Sequence, residues 1–294
     1  MREYEVGFDY NEAFSRNIGW VTEEEQTKLK NTKVAIGGLG GVGGDHAIVL
    51  ARLGIGHFHI SDMDAYDYVN FNRQAGANVN TVGKDKSLVM EETLTSINPS
   101  GSLKNFPDGI SEDNLDEFLD GVDLYVDSLD IFKVDIRRKV FQACYEKGIP
   151  AISAAPMGMG TALMCFLPNK MSFEEYFCLE GVDFEEQILR FVVGMSPSML
   201  QRHYLVKKAS VNFTEENSKV PSTCMGISLA AGVLCTNALK ILLGRGDVIH
   251  APQGLHFDAY LNKLVKTNRP GGNKHWKQRF MCWYLKRLLA KGDD

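Results

Sequence analysis

The residues best suited to chemistry are gathered in one stretch of the chain. The run Gly37-Gly38-Leu39-Gly40-Gly41-Val42-Gly43-Gly44 places Gly38, Gly40 and Gly43 at G-x-G-x-x-G spacing. Glycines so spaced permit a tight turn and let backbone approach a phosphate, whose charge then faces the free N–H groups of a following helix. Asp62 comes about twenty residues after the loop, at the end of the next apolar run, where a carboxylate can accept hydrogen bonds from a ribose. Asp64, Asn70-Phe71-Asn72-Arg73-Gln74 and Gly83-Lys84-Asp85-Lys86 follow. A dinucleotide dehydrogenase has little use for Arg73 and Lys86 here. A site that handles a triphosphate does, because leaving pyrophosphate gathers charge that cations must offset. Arg73 can grip phosphate oxygens bidentately, and Lys86 supplies a point charge.

These residues need a frame, and the hydrophobic pattern supplies one. Thr22 and Glu25 read as a capping box opening a helix to about Lys30. Lys33–Ile36 reads as a strand entering the glycine loop, with a helix after it and His57–Asp62 as the next strand. This β-loop-α-β unit implies a parallel sheet. The alternation continues through a helix at Ser87–Ile97, a strand near Leu103–Phe106, a helix at Glu112–Leu119, and a strand at Val122–Asp127. A helix at Val134–Lys147 and strands at Pro150–Ser153 and Thr161–Leu167 complete it. The expected fold is α/β: a Rossmann-like, mostly parallel sheet flanked by helices, with an insertion and a C-terminal hairpin plus helix. Its parts are an arm and helix (1–30), a nucleotide-binding region (31–168), an insertion or crossover segment (169–222), a helix and hairpin (223–273) and a C-terminal helix (274–294). The helix at Ser228–Leu243 ends at Gly244, and Leu255–Tyr260 with Lys263–Thr267 forms the hairpin.

The ordered set of GxGGxG, Asp-x-Asp, Asn-x-x-Arg-Gln, a lysine and a later strand-end aspartate resembles the ThiF/MoeB-type, ubiquitin-activating-enzyme-like adenylyltransferases. The likeness runs from Ser15 to Pro156 and resumes at Ser228–Gly244. It implies that Gly38, Gly40, Gly41 and Gly43 hold ATP phosphates and that Asp62, with Asp64 beside it, holds the ribose end. By the same likeness Asn70, Arg73, Gln74 and Lys86 surround the triphosphate. Asp130 takes the place of an essential aspartate near the α-phosphate and Mg²⁺, and Arg16 reaches into the partner subunit's site of a homodimer. The implied reaction is attack of a carboxylate on the α-phosphorus of ATP, giving an acyl-adenylate and pyrophosphate. The carboxylate is already ionised near neutral pH, so no strong base is required. The substrate implied is the C-terminus of a ubiquitin-like or sulfur-carrier protein. The alternatives are a small or RNA-linked carboxylate, as in threonylcarbamoyl-adenosine dehydratases, and a non-catalytic nucleotide-binding scaffold; an NAD dehydrogenase ranks behind them. The chain departs from the family in three places: it has no Cys-x-x-Cys pairs for zinc, Ile131-Phe132 follows Asp130 where asparagine is common, and Met171–Pro221 does not match the usual crossover loop.

Composition agrees with a cytoplasmic globular protein of 294 residues, 44% of them hydrophobic. A net charge of −5 gives no chain-wide field for nucleic acid. No leader-like N-terminus and no run of about 18 apolar residues is evident, so neither secretion nor a membrane span is expected. The six cysteines are scattered as in a reducing compartment and are expected to be mostly buried. Cys224, ahead of the apolar helix, is a candidate acyl acceptor, with a packed structural thiol as the favoured reading. Lys274–Lys291 carries Trp276, Phe280, Trp283 and Tyr284 among basic residues and no acidic one. It reads as a basic amphipathic helix packed on its own domain or a dimer interface, the alternative being an acidic partner or membrane surface.

Overall fold

The computed structural model describes residues 7–206 and 220–289. Strands form where successive residues are buried on opposite sides. In β1 (Lys33–Gly37), Val34 and Ile36 enter one core and Ala35 the other. β4 (Leu124–Asp127) repeats this, with Leu124 and Val126 opposite Tyr125. Strands buried on both faces belong inside a parallel sheet covered by helices on each side.

The other strands are β2 (His57–Ser61), β3 (Ser102–Phe106), β5 (Ala151–Met157), β6 (Gly160–Phe166), β7 (Gln253–Asp258) and β8 (Lys263–Asn268). They join in one sheet of order β3-β2-β1-β4-β5-β6-β7-β8. β1 to β5 pair in parallel, and β5 to β8 pair antiparallel. The Rossmann-like sheet and the terminal hairpin are therefore both present. The order reverses between β1 and β4, so a crevice opens at the C-terminal ends of those strands.

Helices α2 (Glu23–Lys30), α3 (Gly43–Arg52), α4 (Lys86–Ile97) and α9 (Cys224–Leu243) cover one face, and α5 (Leu115–Phe118), α6 (Val134–Lys147), α7 (Phe173–Phe177) and α8 (Phe184–Met195) the other. A short α1 (Tyr10–Ala13) precedes them in the N-terminal arm, which is fastened where Tyr10 donates a 2.5 Å hydrogen bond to the Gly54 carbonyl. The expected capping box is formed: Thr22 Oγ1 accepts from Glu25 N at 3.1 Å, and the Glu25 carboxylate accepts from Thr22 N at 2.9 Å. α9 has a mean hydropathy of 1.7 over its most apolar window and is long enough to cross a membrane by length and composition. Here it lies across β5 and β6 and against α3, as a core helix.

Several boundaries differ from expectation for local reasons. The helix expected from Glu112 is a single turn, because Asn114 instead folds back to accept from Ser111 N at 2.8 Å. α9 begins at Cys224 and not at Ser228, since Thr223 caps it by accepting from Gly226 N at 3.1 Å. This corrects the reading of Cys224 as a packed thiol: it occupies the first turn and is exposed. Of the other cysteines, Cys144, Cys165, Cys235 and Cys282 are buried and Cys178 is half-buried. In α10 (Trp276–Leu289) the face packed on the domain carries Gln278 and Cys282, whereas Trp276, Phe280 and Trp283 are exposed. The aromatic residues are thus not the ones that seat this helix. Its expected extension to Lys291, and positions 207–219 of the insertion, lie outside the described residues.

Leu234, fully buried beneath the sheet in α9, reports on this packing. Leu234→Ala is expected to cost about 2–5 kcal/mol, read as a lowered urea midpoint with an unchanged slope.

Candidate functional site

The glycine loop is shaped by contacts that admit no side chain. Gly38 has φ +88, and a β-carbon there would lie 2.4 Å from the Ser128 carbonyl oxygen. A β-carbon on Gly43 would lie 1.9 Å from the carbonyl oxygen of Gly38. The loop after β1 therefore closes on itself and on the exit of β4. Gly40 and Gly41 are different. A β-carbon at Gly40 would meet only Gln74 Nε2, at 3.8 Å, and one at Gly41 would meet Ile227 Cδ1 at 3.4 Å and Arg73 Nε at 3.8 Å. Nothing in the fold forbids side chains at these two positions. Their bare backbone faces the cleft, as close approach by a phosphate requires.

Asp62 fastens this loop to β2. One carboxylate oxygen accepts from Leu39 N at 2.6 Å and the other from Asp64 N at 2.9 Å. Burial pushes its carboxyl upward, while Lys86 and the two backbone donors pull it back. Lys86, buried at the start of α4, is paired with Asp64 at 2.9 Å. Arg73 Nη1 donates to the Val69 carbonyl at 2.8 Å and to Asn72 Oδ1 at 3.0 Å. Burial holds the Arg73 guanidinium below its ordinary value, and the Asp130 carboxylate opposes that shift. Asp130 is exposed in the loop after β4 and accepts from Phe132 N at 3.0 Å. Asn70 is buried and accepts from Asp67 N at 2.9 Å, shaping the turn that carries Arg73. Gln74 is buried, and its Oε1 has no hydrogen-bond partner among the described residues.

All of these residues except Gly43 line a cleft of about 1910 Å³ at the C-terminal ends of the parallel strands. Gly43 lies beneath it. Arg16 does not line it; it stands exposed in the turn Ser15–Asn17 of the arm. Among the described residues no group of three His, Cys, Asp or Glu side chains is placed to hold a metal. A lone carboxylate such as Asp130 still fits Mg²⁺, which binds through one or two carboxylates together with phosphate oxygens.

Sequence reasoning missed the support under Asp130. Asp127 and Arg137 are each 2% exposed and pair through Arg137 Nε, at 3.1 and 3.0 Å from the two carboxylate oxygens. Arg137 Nη2 also donates to the Leu129 carbonyl at 2.5 Å, and Ser153 donates to Asp127 at 2.9 Å. The Arg137 guanidinium lies 4.5 Å from the Phe191 ring centre. The pair thus ties β4, β5, α6 and α8 to the residue preceding Asp130. In sequence Arg137 stands beside Arg138 in an amphipathic helix, where a charged surface residue is the ordinary expectation.

The far end of the cleft was not foreseen either. Met157, Met195, Met199 and Phe191 wall it, with Tyr204 donating to Asp258 at 2.8 Å. Behind it His256 contacts Ser198 Oγ at 2.7 Å and Ser196 Oγ at 3.1 Å. Under the glycine loop His46 is fully buried, its Nδ1 3.0 Å from Ser128 Oγ.

Fold and cleft together define a Rossmann-like α/β protein whose binding crevice sits at the switch point of its sheet. The sequence pattern of the ThiF family matches residues 14–279, and the chain belongs to that family. It is 35% identical over 142 residues to a tRNA threonylcarbamoyladenosine dehydratase of Bacillus subtilis (strain 168), covering 48% of this chain and 55% of that protein. It is 30% identical over 143 residues to the sulfur carrier protein ThiS adenylyltransferase of Escherichia coli (strain K12), covering 49% and 56%. The chain spans about half the length of the curated relatives it matches. The crystal structure of E. coli MccB with AMPCPP and MccA superposes with a TM-score of 0.66 at 20% identity, covering 90% of this chain and 73% of that one. That likeness is one of fold.

Two predictions follow from the buried charges. Arg137→Met leaves Asp127 buried without its partner and is expected to cost about 3–5 kcal/mol in urea unfolding, with Arg137→Lys recovering only part. Burial holds His46 down to about 3 and His256 to about 4. Both folded values lie below the unfolded one, so keeping these rings neutral contributes stability that is complete above about pH 6.5 and is lost as pH falls, through about 4 for His256 and about 3 for His46. Each is expected to add a slope approaching about 1.4 kcal/mol per pH unit to unfolding free energies, and His256→Gln should shallow it.

Proposed function

We propose that this chain is an ATP-dependent adenylyltransferase that activates the C-terminal carboxylate of a ubiquitin-like or sulfur-carrier protein. The observation that carries the reading is the meeting, in one cleft, of bare glycine backbone, Asp62, Arg73, Lys86 and Asp130. The cleft also exceeds the roughly 300–1,000 Å³ usual for one small ligand, which suits a nucleotide together with the end of a second molecule.

In this reading Gly40 and Gly41 offer backbone N–H groups to the phosphates, Gly38, whose own N–H is held by the Ser61 carbonyl at 2.8 Å, makes the turn, and Gly43 lets α3 start close beneath them. Asp62 and Asp64 lie at the ribose end. Asn70 and Gln74 position the turn that bears Arg73. Arg73 and Lys86 offset charge as pyrophosphate departs, Lys86 exchanging Asp64 for a phosphate oxygen. Asp130 would hold Mg²⁺, which supplies neutralisation of phosphate charge when bound. The attacking carboxylate needs no base, so the protein contributes orientation and electrostatics. The chain acts as a homodimer in the cytoplasm, and Arg16, which does not line its own cleft, completes the neighbour's site. A scaffold reading fits less well, because a scaffold has no need of Arg73, Lys86 and Asp130.

A second reading keeps the adenylation and changes the substrate to an RNA-linked carboxylate. It draws on the likeness to the threonylcarbamoyladenosine dehydratases of two bacteria.

The test is exchange of labelled pyrophosphate into ATP, measured with a sulfur-carrier protein and with threonylcarbamoyladenosine-bearing tRNA. Exchange with the carrier supports the first reading, exchange with the tRNA the second, and tighter binding of NAD⁺ than of Mg·ATP would sink both. Arg16→Ala and Lys86→Ala homodimers are each expected to be nearly inactive. After subunit exchange, about half the dimers are mixed, each with one intact site, so activity should return to roughly a quarter of wild type. No recovery after verified exchange would place Arg16 outside the site.

A further inference from the structure

The helix α10 is apolar on two opposite faces. On its inner side Gln278 and Cys282 are buried, and Met281 and Leu285 pack with Leu189 and Val193 of α8. Gln278 Nε2 also donates to the Val193 carbonyl at 3.1 Å. On its outer side Trp276, Phe280 and Trp283 are 68%, 55% and 50% exposed. They stand at i, i+4 and i+7, so they form one stripe along the helix. The exposed cations Lys277, Arg279 and Lys286 flank this stripe, and Arg287 stands on it, over Trp283. Lys286 approaches Glu186 at 3.6 Å, and the other three make no ion pair among the described residues. A helix that only covers its own domain needs a single apolar face.

We infer that α10 is a docking ridge for another protein, one that presents an apolar groove rimmed by carboxylates. The i, i+4, i+7 aromatic stripe is the anchor pattern by which a helix enters such a groove. The flanking cations are placed to meet its rim, where charge complementarity sets orientation and partner choice. A second copy of this chain fits poorly, because paired α10 helices would set lysine and arginine against lysine and arginine. Stacking by nucleobases is hindered at Trp283, whose face the Arg287 guanidinium covers at 4.3 Å. The edge bearing Met281, Tyr284 and Leu285 is turned into the cleft. That same edge seats the docked protein beside the methionine-walled end of the cleft. The inference concerns the ridge itself and stands whether or not the adenylation reading holds.

The full chain can be tested with calcium-loaded calmodulin as the probe, a protein whose opened methionine-rich grooves accept amphipathic helices. Wild-type protein is expected to bind it only in the presence of calcium, with a blue shift of tryptophan emission. Trp276→Ser with Phe280→Ser and Trp283→Ser should weaken binding about 30-fold or more. Lys277→Gln with Arg279→Gln and Arg287→Gln should weaken it about tenfold at low salt and flatten its salt dependence. Unchanged melting and circular dichroism establish that each variant is folded, and Trp283→Ser alone replaces the triple variant if that one is not. The same proteins are titrated with poly(U) and with vesicles of phosphatidylcholine and phosphatidylglycerol, and their mass is measured by sedimentation. The inference is overturned by absence of calcium-dependent binding, by equal binding of the ridge variant, by tighter binding of poly(U) or the vesicles, or by a dimer that dissociates when the ridge is removed.

Discussion

Two backbones approach one another at the switch point of the sheet more closely than any side chain allows. The Gly38 carbonyl rests where a Gly43 β-carbon would be, and the Ser128 carbonyl rests where a Gly38 β-carbon would be. This contact joins the loop after β1 to the loop after β4, and most of the cleft follows from it. It sets the start of α3 beneath the loop, so that free N–H groups point outward. It also sets Asp130 at the same cleft as Arg73, which comes from a different turn after β2. The arrangement depends on backbone and would survive many changes of side chain, provided those two glycines remain.

The second constraint is electrostatic. An ion pair buried between Asp127 and Arg137 is a poor way to gain stability, since apolar residues of similar volume commonly do as well or better. Its value here is geometric. Arg137 spends its Nε on Asp127 and an Nη2 hydrogen on the Leu129 carbonyl, so one planar group holds a strand end and the loop that continues it. Phe191 lies against the guanidinium and brings α8 into register with the same point. The helices that wall the far end of the cleft are thereby tied to the residues that face the nucleotide end.

The parallel half of the fold was legible in sequence because its signals are local and repeated. Strands such as Val34–Ile36 and Leu124–Val126 are short apolar runs with turn residues on either side, and the glycine spacing fixes what lies between them. Of the cleft-lining residues, Asp62 and Lys86 could be gathered from their places at a strand end and a helix start, while Arg73 and Asp130, which lie in loops, were gathered by their order in the motif. What escaped notice depends on tertiary neighbours. Arg137 looks like a surface arginine until α8 covers it. Cys224 looks packed until Thr223 is seen to start the helix four residues early, leaving the thiol outside. In α10 the sequence pattern did not say which face packs, and Gln278 takes the buried place because the Val193 carbonyl offers it a partner. Periodicity identifies a stripe and is silent on which of two stripes meets the core.

The change of strand direction at β5 divides the molecule's capacity to evolve. Every parallel strand delivers only its C-terminal end to the cleft, so that rim is built from crossover loops held by the glycine contact and by Asp62. Beyond β5 the strands alternate, and the cleft wall there is carried largely by α8 and the segment from Met199 to Tyr204, which lie outside the sheet. That segment connects elements, and connecting chain accepts substitution more readily than the elements it joins. One half of the cleft can therefore drift toward new molecular companions over generations while the other keeps its chemistry, and a single sheet serves as a fixed engine with an exchangeable intake.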